Sequence, residues 1–154
     1  MNIKKIALTG FGTTAAAIAL VAATGTGAQA ATLHGTDYAD FLNGTNYNDL
    51  IKGYNGNDEI WGNDGHDDLH GMGHRDQIYA GYGDDYAHGG AGYDYVEPGS
   101  GYDTVNLAKG HDRVYLWNDG YTDYIYCGAG YDTVEYYDWD YNDVFYGCEN
   151  FVQV

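Results

Sequence analysis

At 154 residues the chain has room for one domain, and its 24 Gly, 18 Tyr and single Pro depart from average usage. With 23 acidic against 6 basic side chains and a formal charge of −17, nucleic acid is excluded as a natural partner. The apolar residues return at a strict interval, which a disordered acidic chain does not require, so something must neutralise the acid.

Residues 1–30 read as a bacterial-type secretory signal: Lys4 and Lys5, an apolar stretch from Ala15 to Ala23, then Ala28-Gln29-Ala30 as a small-residue cleavage site. Cleavage is expected after Ala30, leaving residues 31–154 as a secreted domain. The apolar stretch is far short of the roughly 20 residues that span a bilayer, and nothing later is apolar enough to cross. Beyond the signal, four basic residues (Lys52, Arg75, Lys109, Arg113) face all 23 acidic ones.

From Gly35 the chain divides without an insertion into GTDYADFLN, GTNYNDLIK, GYNGNDEIW, GNDGHDDLH, GMGHRDQIY, AGYGDDYAH, GGAGYDYVE, PGSGYDTVN and LAKGHDRVY. Two units of eleven residues, LWNDGYTDYIY and YYDWDYNDVFY, flank a regular CGAGYDTVE, and GCENFVQV closes the chain. A fixed period means that one small unit stacks on copies of itself. Position six is always Asp: Asp40, Asp49, Asp58, Asp67, Asp76, Asp85, Asp94, Asp103, Asp112, Asp123, Asp132 and Asp143, with the long units aligned from their C-terminal ends. Position eight is always apolar, from Leu42 through Ile60, Ile78 and Val105 to Phe145, so it must face a core. Positions seven to nine then read as a short strand with one side chain in and two out, and the first six residues turn the chain. Position four is Gly56, Gly65, Gly83, Gly92, Gly101, Gly110 and Gly130, where a left-handed backbone is expected. Such a turn aims carbonyl oxygens inward, and with the following carboxylate they form a cage of hard oxygen donors that suits calcium.

These units resemble the glycine-rich nonapeptide repeats of hemolysin-type, or RTX, calcium-binding proteins, with consensus G-G-x-G-x-D-x-U-x. GGAGYDYVE fits at every specified position, and the resemblance covers about residues 35 to 135. It implies an all-β, right-handed parallel β-roll of about twelve units, with eighteen residues to a turn and successive units on opposite sides. It also implies calcium between units n and n+2, so that one row of sites joins Asp40, Asp58, Asp76, Asp94, Asp112 and Asp132 and the other joins Asp49, Asp67, Asp85, Asp103, Asp123 and Asp143. Ten sites is the ceiling. About six to eight ions are expected, because Tyr38, Tyr47 and His74 replace glycine at position four, and the best sites should lie from Asp67 to Asp103. Folding is expected to depend on calcium.

A roll exposes strand edges at its ends, and the region of about 136–154 is expected to cap one. On such a roll Cys127 and Cys148 lie on the same side in adjacent layers, as a disulfide requires, the alternative being two free thiols. His66-Asp67-Asp68-Leu69-His70 imitates the spacing of zinc hydrolases, but that spacing works only on a helix, and Gly62, Gly65, Gly71 and Gly73 bracket this segment. No nucleophile with a plausible base stands out, so a non-enzymatic structural or interaction module is expected. Many RTX proteins carry a C-terminal export signal and an upstream catalytic or toxin domain; an N-terminal signal and a repeat filling nearly the whole mature chain depart from that pattern. Tyr86, Tyr124, Tyr126 and Tyr146 are expected on one outer face and Trp61, Tyr79, Tyr95 and Tyr115 on the other. Three readings stay open for them: stacking between layers that stabilises the sheet, a ladder that binds cell-surface glycan, and self-association.

Overall fold

The computed structural model describes residues 17–20 and 29–154. The signal expected at 1–30 lies outside the described residues, apart from Ala17–Leu20 and residues 29–30. Among the described residues every regular element is a strand, and every strand pairing is parallel.

Numbered in chain order, the first sheet runs β1 (Ala17–Leu20), β3 (Asp40–Asn43), β5 (Glu59–Asp64), β7 (Gln77–Tyr82), β9 (Tyr95–Ser100), β11 (Arg113–Leu116), β14 (Thr133–Tyr136) and β16 (Asn150–Gln153). The second runs β2 (Thr32–His34), β4 (Leu50–Asn55), β6 (Asp68–Gly73), β8 (Tyr86–Gly92), β10 (Thr104–Gly110), β12 (Tyr124–Tyr126) and β15 (Val144–Tyr146), with β13 (Ala129–Gly130) on the far end of β10. Consecutive units alternate between the sheets, so the chain winds a β-solenoid of about seven turns, a parallel β-roll.

Position eight builds the core as expected. In the first sheet Leu42, Ile60, Ile78, Val96, Val114 and Val134 stand in register and are wholly buried; in the second Ile51, Leu69, Ala87, Val105 and Ile125 do the same. Two aliphatic columns thus face each other through the roll, each residue touching its counterparts one layer up and down. Phe145 and Phe151 end the columns, and Trp139 packs on both, with ring centroids 5.6 and 5.7 Å away. Trp139, Phe145 and Phe151 thus form an aromatic plug at this end, with Phe151 still partly exposed.

The strands differ from the expected length. β5, for example, starts at position seven of one unit and continues through Gly62, Asn63 and Asp64, the first three positions of the next. Alternation along it makes positions six, eight and one all point inward. Position one thus joins the core, and Ala80, Leu107, Leu116 and Cys127 are buried there. A unit before the first also contributes: Leu33 on β2 pairs with Ile51 and is buried.

The turn has two left-handed points rather than one. Gly56, Gly65, Gly83, Gly101 and Gly130 have φ between 127° and 155°, as expected at position four, and His74 keeps a left-handed φ of 82° there without glycine. Gly92 and Gly110 lie outside that region. Position two is left-handed as well, at Tyr54, Asn63, Met72 and Ala108 and at Gly81, Gly90, Gly99 and Gly128. Layers approach so closely at position four that a side-chain carbon on Gly83 would overlap the Gly65 carbonyl.

The long units sit one above the other on the edge leading into the second sheet. Asp119 of the first accepts from the Gly101 amide at 2.9 Å, and Asp140 of the second accepts from the Gly120 amide at 3.0 Å. In shorter turns the position-four amide bonds a backbone carbonyl one layer on, as Gly83 does with Ser100. Cys127 and Cys148 form the expected disulfide, their Cα atoms 5.1 Å apart.

Candidate metal centre

Eleven of the twelve repeat aspartates, Asp40 through Asp132, are buried, and Asp143 is half-buried. They form two ladders in the two rows expected. In the first, the amide of Asp40 donates to Asp58 Oδ1 (2.9 Å), Asp58 to Asp76 (2.9 Å), Asp76 to Asp94 (2.9 Å), Asp94 to Asp112 (2.7 Å) and Asp112 to Asp132 (2.8 Å). In the second, Asp49 donates to Asp67, Asp67 to Asp85, Asp85 to Asp103, Asp103 to Asp123 and Asp123 to Asp143, at 2.7 to 3.0 Å. Glu149 Oε2 ends the first ladder on the Asp132 amide at 3.0 Å.

From Asp58 and Asp67 onward, one oxygen of each carboxylate is thereby used. The other, Oδ2 of Asp58, Asp67, Asp76, Asp85, Asp94, Asp103, Asp112 and Asp132, is buried without any hydrogen-bond partner. A buried carboxylate oxygen left bare is costly, so its site calls for a cation or a proton. The backbone supplies the remaining donors. The point where a Gly89 Cβ would stand lies 2.8 Å from Asp94 Oδ2 and 3.1 Å from the Leu107 carbonyl oxygen one layer on. Lone pairs from adjacent layers converge with no hydrogen between them. Among the described residues no three His, Cys, Asp or Glu side chains converge as a metal centre, so each site would combine carboxylate with backbone carbonyl, the all-oxygen chemistry that calcium takes.

The first turns differ. Asp40 Oδ2 accepts from the amide and hydroxyl of Thr36, and Asp49 Oδ2 from those of Thr45, while Asp40 Oδ1 is buried without a partner.

The electrostatics carry the same message. Burial pushes Asp76 and Asp103 up to about 8, Asp67, Asp112 and Asp123 to about 7, and Asp58, Asp85, Asp94 and Asp143 to about 6, against the partial relief of each ladder hydrogen bond. Neighbouring aspartates in the row raise several of them further.

A second ladder lies outside the first, on position five. Asn48 Oδ1 accepts from the His66 amide, His66 Nδ1 from the Asp84 amide (2.7 Å) and Asp84 Oδ1 from the Tyr102 amide, while Asn57 and His111 act likewise in the other row. The Asn, His and Asp at this position were the available signal, obscured because Arg75, Tyr93 and Tyr102 share it. The His66–His70 segment carries β6 from Asp68 onward, not a helix, and His70 Nε2 lies 2.7 Å from Asp68 Oδ1.

The outer aromatics do not make one continuous ladder. Tyr126 and Tyr146 stack on each other, 4.7 Å apart and 7° from parallel, whereas Tyr86 and Tyr124 are separated by the Thr104 layer. On the other face Trp61 and Tyr79 stack at 4.3 Å, then Glu97 interrupts before Tyr115.

No helix among the described residues is long and apolar enough to cross a membrane. Comparison with curated proteins and with solved structures finds no match for the chain. The family model for the RTX calcium-binding nonapeptide repeat (4 copies) matches residues 34–69, 61–96 and 70–105. Those matches span β3 to β9 and the first strand residues of β10, where six of the eight bare Oδ2 atoms are found, so residues 34–105 of this chain carry RTX calcium-binding nonapeptide repeats.

Proposed function

We propose that the protein is a secreted calcium-binding module whose folding is completed by several Ca2+ ions, about six to eight, and which serves as a structural or interaction element rather than an enzyme. The signal at 1–30, cut after Ala30, would deliver residues 31–154 to a calcium-rich exterior. The observation that carries this reading is the stack of buried, unpartnered Oδ2 atoms from Asp58 to Asp132. The metal ligands on this reading are the position-six aspartates, with the turns around Gly56, Gly65, Gly83, Gly92 and Gly101 supplying carbonyls. Calcium, when bound, supplies positive charge between layers; the carboxylates hold it, the ladder hydrogen bonds orient them, and the aliphatic columns keep water out. Energetically, binding to the folded state alone stabilises it by mass action, roughly 3 kcal/mol for a site at a hundred times its dissociation constant.

The test is a calcium titration of EDTA-treated protein, followed by far-UV circular dichroism and calorimetric ion counting, with magnesium as control. A cooperative gain of strand signal with several calcium ions bound, absent with magnesium, is the expected result. A chain already folded in EDTA that takes up no calcium would refute it.

A further inference from the structure

Three layers of the first ladder also shape the outside of the roll. Positions five and seven flank each inward aspartate and so point outward together. Around Asp76, Asp94 and Asp112 these flanking residues are Arg75 and Gln77, Tyr93 and Tyr95, His111 and Arg113. With Tyr79 and Glu97 they line a groove of about 590 Å³ on the first sheet.

The chemistry of its walls is mixed. Tyr93 is 62 % exposed, with its ring 5.8 Å from that of His111, and Tyr79 and Tyr95 stand 6.0 Å apart. Arg113 is tied to Glu135 by three hydrogen bonds and lies 5.9 Å from the Tyr95 ring centroid, so it buttresses the wall. Among the described residues Arg75 forms no ion pair, which leaves its guanidinium donors open to a ligand in a chain of charge −17. Gln77 adds a donor and an acceptor, and Glu97 acceptors only. Aromatic faces beside a balanced set of donors and acceptors suit a pyranose ring, which has apolar C–H faces and hydroxyls that both give and take hydrogen bonds. The acidity of the whole chain repels polyanions. Three layers about 5 Å apart span roughly two sugar rings.

We propose that this groove binds a short neutral oligosaccharide once calcium has stacked its three layers. The proposal rests on the calcium-dependent folding reading and deepens it: every ligand-facing side chain named is next in sequence to a ladder aspartate or lies on the strand that follows one. It places the glycan-binding face on the first sheet, whereas on the second Tyr126 and Tyr146 stack on each other.

The test is calorimetric titration of the calcium-loaded protein with cellotetraose, maltotetraose, xylotetraose and tetra-N-acetylchitotetraose, with tetragalacturonate as the acidic control and circular dichroism run in parallel. At least one neutral tetrasaccharide should bind saturably. Arg75→Ala and Tyr93→Ala should each weaken it by about tenfold or more with an unchanged calcium-loaded spectrum, and Tyr124→Ala on the opposite sheet should leave it intact. A calcium-dependent strand signal with no neutral saccharide bound, with tetragalacturonate alone bound, or with binding indifferent to both groove substitutions overturns the groove alone. A strand signal indifferent to calcium overturns the folding reading and this proposal with it.

Discussion

Stripped of metal, the protein should gain strand structure as the solution is acidified from pH 8 to pH 5. Asp112 is 1 % exposed, and burial pushes its carboxyl up to about 7 from the ordinary value near 4. A tenfold change in proton affinity is worth about 1.4 kcal/mol, and this carboxylate holds its proton roughly a thousandfold more tightly in the metal-free roll than in the unfolded chain, so ionising it there costs on the order of 4 kcal/mol. Between about pH 4 and pH 7 the folded state holds the proton and the unfolded state does not; stability therefore falls as pH rises through that window. Asp67 and Asp123 behave alike, and Asp76 and Asp103, at about 8, extend the loss to higher pH. A domain is typically stable by only about 5–15 kcal/mol, so a few such penalties suffice to unfold the metal-free chain at pH 8. Calcium inverts the dependence, because it binds the ionised carboxylates and competes with the proton. The assay is far-UV circular dichroism from pH 5 to pH 8 in EDTA and in calcium. Strand signal in EDTA that is as strong at pH 8 as at pH 5 would refute the reasoning.

Asp76→Asn should act with opposite signs in the two states: its neutral amide relieves the buried charge and stabilises the metal-free roll, while calorimetry counts at least one calcium fewer. Gly83→Ala should cost about 3 kcal/mol or more in calcium, because φ is 127° and the new carbon overlaps the Gly65 carbonyl; Gly120→Ala, with nothing within 4 Å, should cost only about 1 kcal/mol, both read from thermal or urea melts. The pair Cys127→Ala and Cys148→Ala opens a bridge across 21 residues and should cost roughly 3 kcal/mol without changing the calcium count.

The ladder was legible because a nine-residue period with invariant Asp and an apolar residue two places on leaves few foldings. The two rows follow once successive units take opposite sides, and Asp58 paired to Asp76 and Asp49 to Asp67 are their direct expression. What escaped depends on the third dimension. Met72 and Tyr54 hold left-handed conformations that no composition rule assigns to bulky residues; the next layer's hydrogen bonds impose them, as in the register of Tyr54 with Met72. Leu107, Leu116 and Cys127 stand where half of the units carry glycine, so an inward-facing first position was hidden by its smallest occupants. The groove at Arg75 and Tyr93 joins residues 18 to 36 apart that share no motif, only a common relation to the aspartate between positions five and seven.

The two enlarged turns illustrate how such a stack inherits its errors. Asp119 takes over the role of a turn carbonyl for the Gly101 amide, and Asp140 then serves Gly120 in the layer above. A course of bricks laid out of line leaves the next course no choice but to follow it or stop, and this protein does both: it repeats the two-residue excess once, then closes with Trp139, Phe145 and Phe151. Length changes on this edge therefore travel in sets. A chain that lost one of its long turns would have a step between layers, and the aromatic plug above it would no longer sit level on the column that it seals.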